Sequence, residues 1–377
     1  MDNVSEEKYM KIALLGTRGI PANYGGFETF AENLSTRLVK RGHTVTVYGR
    51  SSYINKKQTS YKGVQLKVLP TISHKYLDTP VNTLLASCHA IFQKYDIIFI
   101  CNSANSFCAL LPRIVGKPVV LNVDGLEWKR AKWSIFGQWV YKISEWLATF
   151  IPNHIVTDAR EVQKYYKKKF NKKSTYIPYG SAITRTQSTT ILDKYDLGKK
   201  KYFLYVSRLE PENNAHVVIQ AYKKVHTNYP LVIVGDAPYS QDYIQSLQEM
   251  KDERVIFTGY VFNKGYNEFQ SHALCYVQAT EVGGTHPALV EAMGHGNCVI
   301  ANDVPEHREV LADTGLYFTS KNISTLTEKM EYILAHPRQV KEYGQKAQER
   351  ISRLFTWKRV TSDYERLFTR IVRGKIS

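Results

Sequence analysis

Short runs of consecutive apolar residues, each followed by a helix-length segment, recur along most of this 377-residue chain. Runs of Val, Ile and Leu bounded by turn residues are typical of strands buried on both faces, and helical crossovers between such strands produce a parallel sheet. In the first half of the chain, strands are predicted at residues 12–15, 44–48, 66–69, 97–101 and 119–123, and a helix is predicted at residues 28–41.

The same pattern restarts in the second half, after the apolar periodicity lapses between residues 180 and 200. Because the chain is too long for one ordinary core, the restart predicts two doubly wound α/β domains, at residues 1–185 and 186–355. Open α/β sheets bind ligands at the carboxyl ends of their strands, so a site is expected in a central cleft between two Rossmann-like domains. Strands of the second half are predicted at residues 202–206, 231–234, 255–257, 274–277 and 298–301.

Five cysteines and the N-terminal residues bear on where the protein works. No CxxC pair occurs, and the cysteines lie in apolar or small-residue stretches, so we predict buried, reduced thiols. Residues 1–9 are polar and acidic and lack the layout of a signal peptide. The most apolar long stretch, residues 97–116, is interrupted by polar residues and a proline, which predicts a poor membrane span. We therefore expect a cytoplasmic protein that contacts the inner face of the cell membrane peripherally.

The net charge of +17 is concentrated in the first half of the chain. Residues 1–180 contain 26 Lys and Arg against 12 Asp and Glu, residues 181–350 contain 18 against 20, and residues 351–377 contain 7 against 2. Such a basic face suits an anionic membrane surface or a phosphorylated acceptor. Nucleic acid is not expected, because no recognisable nucleic-acid-binding motif accompanies the charge. A merely solvated basic surface stays open as an alternative.

A glycine-rich loop follows the first predicted strand and leads into the first predicted helix. Gly25 and Gly26 end this loop, where glycines let the backbone approach a ligand and the next helix offers unpaired N–H groups to an anion. The loop matches neither the GxGxxG fingerprint nor a P-loop. Spacing alone leaves a phosphate-facing loop and a structural turn equally open.

Charged side chains follow two other predicted strands. Arg208 stands at the carboxyl end of the first strand of the second half, where its guanidinium could hold a diphosphate. An ion pair with Glu210 or Glu212 is the alternative. Asp124 directly follows the last predicted strand of the first half and is either a cleft carboxylate or an ordinary turn aspartate before glycine.

The segment 281–293 combines a glycine-rich turn, Pro287 at a predicted helix start, and an apolar helix that carries Glu291. N–H groups at such a helix start can meet phosphate or sugar oxygens, and a carboxylate there can accept hydrogen bonds from the hydroxyls of a nucleotide pentose. The alternative is that Glu291 only complements the helix dipole.

Two further groups of residues are interpreted structurally. The basic run at residues 164–173 is typical of a solvated helix end, with contact to a membrane surface as the alternative. Five histidines lack metal-ligand spacing and are interpreted as packing or surface residues: His43, His74, His89, His154 and His216.

Together, five separated segments in this order resemble the retaining family-4 glycosyltransferases, which have the GT-B fold, over nearly the whole chain. The bacterial subgroup that includes rhamnosyltransferases acting on lipid-diphosphate-linked sugars is the most similar. The matching segments are residues 16–28, 124–129, 207–214, 281–293 and 301–305.

The resemblance implies a role for individual residues. Gly25 and Gly26 approach the donor diphosphate, and Arg208 neutralises it as it leaves. Glu291 binds the donor pentose, and we expect Asp124 to orient or deprotonate the acceptor hydroxyl. A final helical segment, residues 356–377, crosses back onto the acceptor-side N-terminal domain. The other implied donor contacts come from one turn, mainly through its backbone: Gly283, Gly284, Thr285, His286, Pro287, Ala288 and Leu289.

Three positions depart from the family pattern. The family's first glutamate falls on Gly283, and Glu281, two residues earlier, is the candidate for its catalytic, sugar-contacting role. The lysine that usually follows the arginine by five residues is Asn213, so Arg18 is expected to supply positive charge beside the diphosphate. Asp124 stands where many relatives have histidine. This departure and Asn213 fit the rhamnosyltransferase-like subgroup.

The resemblance also implies transfer with retention at the anomeric carbon, without a metal or other cofactor. No DxD-like acidic pair stands at a predicted strand end to hold Mg²⁺, which agrees with this expectation. The expected reaction moves a sugar, rhamnose from dTDP-rhamnose in the first instance, to a lipid-diphosphate-linked sugar in cell-surface polysaccharide synthesis. The alternatives are a UDP-hexose donor, a nucleotide-sugar epimerase on the same fold and, least favoured, a non-catalytic polyanion-binding protein.

Overall fold

The computed structural model describes residues 9–72, 74, 77–130, 133–238 and 240–374. The expectation that residues 1–9 lack the layout of a signal peptide falls mostly on residues 1–8, and the predicted final segment 356–377 includes residues 375–377; both stretches lie outside the described residues.

The N-terminal half forms one eight-stranded sheet in the order β3-β4-β2-β1-β5-β6-β7-β8, parallel except for the pairing of β3 with β4. The strands are β1 Lys11–Leu15, β2 Thr44–Arg50, β3 Ser60–Tyr61, β4 Val64–Leu69, β5 Ile97–Cys101, β6 Val119–Asn122, β7 His154–Thr157 and β8 Thr175–Tyr176. The helices are α1 Gly26–Lys40, α2 Asp78–Ile91, α3 Leu110–Ile114, α4 Ile135–Ala148 and α5 Arg160–Phe170, with 3-10 helices at Ser103–Ala109 and Glu127–Lys129.

The C-terminal half forms a six-stranded parallel sheet in the order β11-β10-β9-β12-β13-β14. Its strands are β9 Phe203–Val206, β10 Leu231–Val234, β11 Val255–Gly259, β12 Cys275–Gln278, β13 Cys298–Asn302 and β14 Leu316–Phe318. Its helices are α6 Thr190–Lys194, α7 Ala215–Tyr222, α8 Gln241–Met250, α9 Asn263–His272, α10 Pro287–Gly294, α11 Pro305–Leu311, α12 Ile323–Ala335 and α13 Pro337–Leu354, with a 3-10 helix at Pro211–Asn213. The last helix of the chain is α14 Trp357–Val372.

The strands in the middle of each sheet are buried on both faces, as their continuous apolar runs predict. Every residue of β5 and β10 is buried, and separate hydrophobic clusters cover the two faces of each sheet. The prediction of two doubly wound α/β units is confirmed. Four strands escaped prediction, β3, β7, β8 and β14, because each has only two to four residues and two of them consist largely of polar or aromatic side chains.

Helix α14 packs on the N-terminal sheet although it follows the whole C-terminal half in sequence. Tyr364 and Phe368 are fully buried, and their ring centroids lie 5.2 and 5.6 Å from that of Phe99 in β5. At the helix surface, Glu365 accepts hydrogen bonds from Arg41 and lies 2.8 Å from Nε2 of His43. The last helix therefore completes the core of the first sheet.

Two further sequence expectations concern cysteines and membrane spans. All five cysteines are free thiols; four are buried and Cys88 is partly exposed. Within the described residues, no helix has the length and apolar character needed to cross a bilayer.

Replacing Phe368 by alanine should destabilise the N-terminal unit by about 3–5 kcal/mol, because the truncation leaves a cavity beside Phe99 and Tyr364. Urea denaturation followed by circular dichroism measures this change. Arg366→Ala is the matched control on the exposed side of the same helix, and it should change the free energy of unfolding by less than about 0.5 kcal/mol. Equal effects of the two substitutions would contradict the packing of α14 described above.

Candidate active site in the interdomain cleft

A cavity of about 630 Å³ lies between the carboxyl ends of the two sheets. It is lined by residues from both halves of the chain, as expected for facing α/β sheets. Twelve of the residues singled out in the sequence lie in its wall: Arg18, Gly25, Gly26, Asp124, Arg208, Gly283, Gly284, Thr285, His286, Pro287, Ala288 and Glu291.

Two helix N-termini point into this cavity from opposite domains. Helix α1 begins at Gly26, and its N-cap residue Gly25 has no side chain that could occupy the free N–H groups. Helix α10 begins at Pro287, directly after the turn formed by Gly283 to His286. Because the free N–H groups and the positive dipole end of a helix favour an anion, the two starts together form one anion-binding end of the cavity.

Two arginines add full positive charges to the same end of the cavity. Arg208 lies 3.5 Å from the carboxylate of Glu210 and also lines the cavity. The two alternatives for this arginine, an ion pair and a position in the cleft, are therefore both realised. Burial alone would lower the pKa of Arg208, but Glu210 and other nearby groups hold it above its ordinary value. The Arg18 guanidinium lies 3.5 Å over the ring of Tyr24, and its Nε has no hydrogen-bond partner among the described residues. Both groups stay charged and keep donors for a ligand.

Glu291 faces the cavity from the first turns of α10. Burial raises the pKa of its carboxyl to about 7, although a hydrogen bond from Tyr266 opposes this rise. The Tyr266 hydroxyl donates to Oε2 of Glu291 over 2.6 Å, and Gln270 donates in turn to the tyrosine oxygen over 3.0 Å. This chain of hydrogen bonds fixes the direction of the carboxylate and leaves its other oxygen available to a ligand.

A pair of histidines sets the protonation state of His286. His307 donates from Nδ1 to the carbonyl of Asn302 at 2.9 Å, since a carbonyl can only accept. Burial lowers the pKa of His307 to about 4, so its Nε2 is unprotonated and accepts from Nδ1 of His286 at 3.0 Å. Burial also lowers the pKa of His286 well below its ordinary value. His286 is therefore neutral, and its Nε2 is buried beside the backbone of the Gly283 turn.

Asp124 belongs to a pair of carboxyl groups. Its partner is Asp158, a fully buried residue whose Oδ2 accepts from the backbone N–H of Thr285 at 2.9 Å. Burial raises the pKa of both groups, and the charge of Asp124 raises that of Asp158 further. Because two such carboxyls cannot both ionise easily, the pair retains a proton near neutral pH.

Backbone-to-backbone contacts bring the two domains together around this pair. Gly125, directly after Asp124, lies so close to Gly283 that a Cβ atom would be 2.4 Å from the Gly283 carbonyl carbon. A Cβ on Gly284 would lie 2.1 Å from Oδ1 of Asp158. Only glycine fits at these contacts, so the glycine-rich turn joins the domains as well as lining the cavity.

Four residues of the site carry no clear signal in the sequence: Arg130, Asp158, Tyr266 and His307. Arg130 is buried, donates to Glu127 at 2.7 Å and lies 3.7 Å from Glu212 of the other domain. The other three act through partners that are 21 to 127 residues distant in sequence. One signal was present for Asp158, since it directly follows β7, a strand that sequence reasoning missed.

Two predicted site residues do not reach the cavity. The carboxylate of Glu281 accepts from the Ser320 hydroxyl at 2.6 Å and pairs with Lys321 at 3.2 Å, so the loop after β14 holds it outside the cleft wall. Leu289 is buried in the hydrophobic core, and its N–H is already bonded to the carbonyl of His286. Neither residue lines the cavity, and the catalytic role of Glu281 and the donor contact of Leu289 stay predictions.

Among the described residues, no cluster of three or more His, Cys, Asp or Glu side chains is arranged to hold a metal ion. The five histidines interpreted as packing or surface residues do not line the cavity. Asn213 does, and its side-chain amide donates to the backbone carbonyl of Arg208 at 2.7 Å. It therefore supports the arginine loop and contributes no charge.

Asp158→Asn should make the protein more stable above neutral pH. The raised pKa of the carboxyl pair favours folding at low pH, and this contribution is lost as pH rises above the ordinary aspartate value of about 3.9. Asparagine keeps the acceptor for Thr285 but needs no proton. The melting temperature of the variant should therefore exceed that of the parent by a margin that grows with pH. Asp313→Asn, at an exposed position, should follow the parent at every pH, and parallel curves for all three proteins would refute a shared proton.

Comparison with known proteins agrees with this architecture. Residues 187–350 match the family model of glycosyl transferases group 1, and residues 9–182 match a domain family of unknown function, DUF1972. The fold is also that of Anabaena Alr3699/HepE in complex with UDP-glucose, with a TM-score of 0.80, 17% identity, and coverage of 96% of this chain and 100% of that one.

Two curated relatives match part of the chain. The O-antigen chain mannosyltransferase B of Escherichia coli is 26% identical over 160 residues, which are 41% of this chain and 41% of the relative. The N-acetylgalactosamine-N,N'-diacetylbacillosaminyl-diphospho-undecaprenol 4-alpha-N-acetylgalactosaminyltransferase of Campylobacter jejuni is 25% identical over 156 residues, 40% and 42% of the two chains. The chain thus spans about two fifths of the length of these relatives. The C-terminal domain is thus similar to the glycosyl transferases group 1, and the whole chain has the GT-B fold.

Proposed function

We propose that this protein is a retaining, metal-independent glycosyltransferase that moves a sugar from a nucleotide diphosphate donor to a lipid-diphosphate-linked sugar. The observation that carries the proposal is the convergence of two helix N-termini with Arg18 and Arg208 at one end of the cleft. This arrangement suits a diphosphate, whose two negative charges need both oriented N–H donors and fixed cations.

The donor lies along the cavity, from Glu291 at its nucleoside end to His286 at its sugar end. The Glu291 carboxylate accepts hydrogen bonds from the pentose hydroxyls, and the diphosphate lies between the helix starts and the arginines. The transferred sugar then lies beside His286 and the glycine-rich turn that precedes it. Support for a nucleotide-sugar donor comes from the shared fold with a protein solved with UDP-glucose. Rhamnose from dTDP-rhamnose is the first donor to test, on the resemblance to the rhamnosyltransferase subgroup, with a UDP-hexose as the alternative.

The chemistry proposed is a displacement on one face of the sugar. The bond between the anomeric carbon and the diphosphate oxygen breaks first, and the leaving diphosphate takes the electron pair and is stabilised by Arg208, Arg18 and the helix N–H groups. The acceptor hydroxyl then bonds to the oxocarbenium-like carbon from the same side. Its proton passes to the Asp124–Asp158 pair, whose raised pKa makes it a competent base near neutral pH.

The acceptor side is supported by the relatives and by charge. One curated relative is named for transfer to a diphospho-undecaprenol-linked sugar and another for O-antigen chain synthesis. The excess of Lys and Arg in residues 1–180 suits an anionic membrane surface, where such a lipid would be presented. We therefore place the protein peripherally at the inner face of the cell membrane, in cell-surface polysaccharide synthesis.

Purified protein should transfer one sugar from a panel of dTDP-rhamnose, UDP-glucose, UDP-N-acetylglucosamine, UDP-galactose and GDP-mannose to a lipid-diphosphate-linked sugar. Mass spectrometry measures the product, with and without EDTA, and transfer should survive EDTA. Arg208→Gln should lower kcat by about 10²–10³-fold, because it removes a cation from the leaving group. Asp313→Asn, outside the cleft, should leave kcat unchanged.

Each other outcome of the panel has a defined meaning. Transfer that EDTA abolishes would overturn metal independence, and an inverted anomeric configuration in the NMR spectrum of the product would overturn retention. Conversion of the donor to an epimer in the absence of any acceptor, which NMR also detects, would identify an epimerase. Binding of RNA or DNA with steep salt dependence, together with no binding of any nucleotide sugar, would identify a polyanion-binding protein and not an enzyme.

Affinity for the nucleotide sugar should rise by about tenfold between about pH 6 and about pH 8. Only the ionised Glu291 accepts hydrogen bonds at both oxygens, and its pKa of about 7 places the rise in this interval. Isothermal titration calorimetry measures the affinity, and an intact nucleotide sugar is required because the terminal phosphate of a free diphosphate titrates in the same interval. Glu291→Gln should remove the pH dependence. Tyr266→Phe, which removes the opposing hydrogen bond, should move the midpoint to higher pH, and a flat profile for the parent protein would refute the role of Glu291.

A further inference from the structure

Exposed apolar side chains are confined to one part of the molecule. Within the described residues from 186 to 374, no large apolar side chain is exposed. Most of those that are exposed fall between residues 84 and 150, in four neighbouring helical elements and the turns that follow them. They are Leu84, Leu85, Phe92, Phe107, Leu110, Ile114, Val115, Ile135, Phe136, Trp139, Val140, Ile143, Trp146 and Phe150.

Helix α4 has its large apolar side chains on the outside. Phe136 is 75% exposed, Trp139 60% and Trp146 55%, and their helical spacing places them on one face with Ile143. The buried face of the same helix consists of small or polar residues, namely Gly137, Ser144, Glu145 and Ala148. A helix of a water-soluble domain normally has the opposite arrangement, so this face is built to contact something apolar.

Helix α4 continues into a wider apolar surface. It packs against the 3-10 helix Ser103–Ala109, which in turn packs against α2 and α3. These neighbours add exposed side chains such as Ile114, which is 71% exposed, and Phe92, which is 82% exposed. We call this surface, formed by α4, the 3-10 helix, α3 and the end of α2, the apolar face.

Basic side chains border the apolar face. The Lys142 ammonium lies 5.0 Å from the ring centre of Trp128 and 5.7 Å from that of Trp139. Lys169 connects the basic end of α5 to α4, since its ammonium lies 3.8 Å from the Glu145 carboxylate. Four more lysines of the run at residues 164–173 are exposed beside it: Lys164, Lys167, Lys168 and Lys173.

We propose that the apolar face inserts into the headgroup region of an anionic lipid bilayer, with α4 lying in the plane of the membrane. Tryptophan and phenylalanine on one face with lysines at the border are typical of interfacial helices, and anionic headgroups complement the lysines. At 14 residues, α4 is about 21 Å long and too short to cross a bilayer. A second copy of the chain is a poorer occupant, because a symmetric contact would bring the same lysines together.

The inner side of α4 connects this surface to the cleft. Tyr141 of α4 lines the cavity together with Trp133, and their ring centroids are 5.0 Å apart. A lipid held in the bilayer could therefore extend its sugar past these rings toward Asp124 without leaving the membrane. This part rests on the proposed function and specifies how the acceptor arrives, whereas bilayer insertion itself does not depend on catalysis.

The experiment compares binding of the full chain to vesicles of phosphatidylcholine alone and of phosphatidylcholine mixed with phosphatidylglycerol. The parent protein should float with the mixed vesicles, and its tryptophan emission should shift to shorter wavelength. The double variant Phe136→Ser with Trp139→Ser should bind at least about tenfold more weakly. Tyr9→Ser, at an exposed aromatic residue outside the apolar face, is the matched control and should bind like the parent.

A charge variant separates insertion from simple attraction. Lys167→Gln with Lys168→Gln should weaken binding to mixed vesicles while leaving the emission shift of the bound fraction unchanged. If the Phe136 and Trp139 variant binds vesicles as strongly as the parent, insertion is overturned. Insertion is also overturned if the parent binds no vesicle but self-associates, and the same variant does not self-associate. Nucleotide-sugar affinity is measured on the same proteins without lipid. If the protein binds no nucleotide sugar, only the proposed function is rejected. If it binds a nucleotide sugar but no vesicle, only insertion of the apolar face is rejected.

Discussion

The contact between Gly125 and the Gly283–Gly284 turn determines how closely the two halves of this molecule approach. No side chain separates the backbones there, and the buried Asp158 carboxyl occupies the space that a Cβ atom on Gly284 would need. The turn holds Thr285 against Asp158 on one side and presents His286 and the start of α10 to the cavity on the other. Because these glycines have no Cβ atom, the backbones touch and set the position of the proposed donor site relative to Asp124.

Charge in the cleft is arranged by burial as much as by sequence. The cations at Arg18 and Arg208 remain charged because aromatic rings and carboxylates surround them. Burial raises the pKa values of Glu291 and Asp158, and the charge of Asp124 raises that of Asp158 further. The cavity thus combines permanently positive groups with carboxyl groups whose pKa values are raised by burial. A leaving diphosphate and an acceptor hydroxyl require these two different environments.

The sequence predicted the parts of the structure that depend on local pattern. Long apolar runs predicted the positions of the inner strands. Because ligands bind at the carboxyl ends of strands, Arg208 and Asp124 were predicted to lie in the cleft. Short strands such as β8 were missed because two residues carry no periodicity. The position of Glu281 outside the cavity wall could not be predicted, because the direction of a loop carboxylate depends on Ser320 and Lys321, which join it only in the folded chain. Long-range pairs of this kind leave no trace in residue spacing.

Helix α14 has a consequence for the order of events during synthesis. The first sheet is complete in sequence by residue 176, yet Tyr364 and Phe368 close its core. Until these residues leave the ribosome, Phe30 and Phe99 lack their ring contacts with Tyr364, while the second sheet already has all its strands. Domains generally fold from the N-terminus onward as they emerge. In this chain the core of the half that is made first is completed by the helix that is made last.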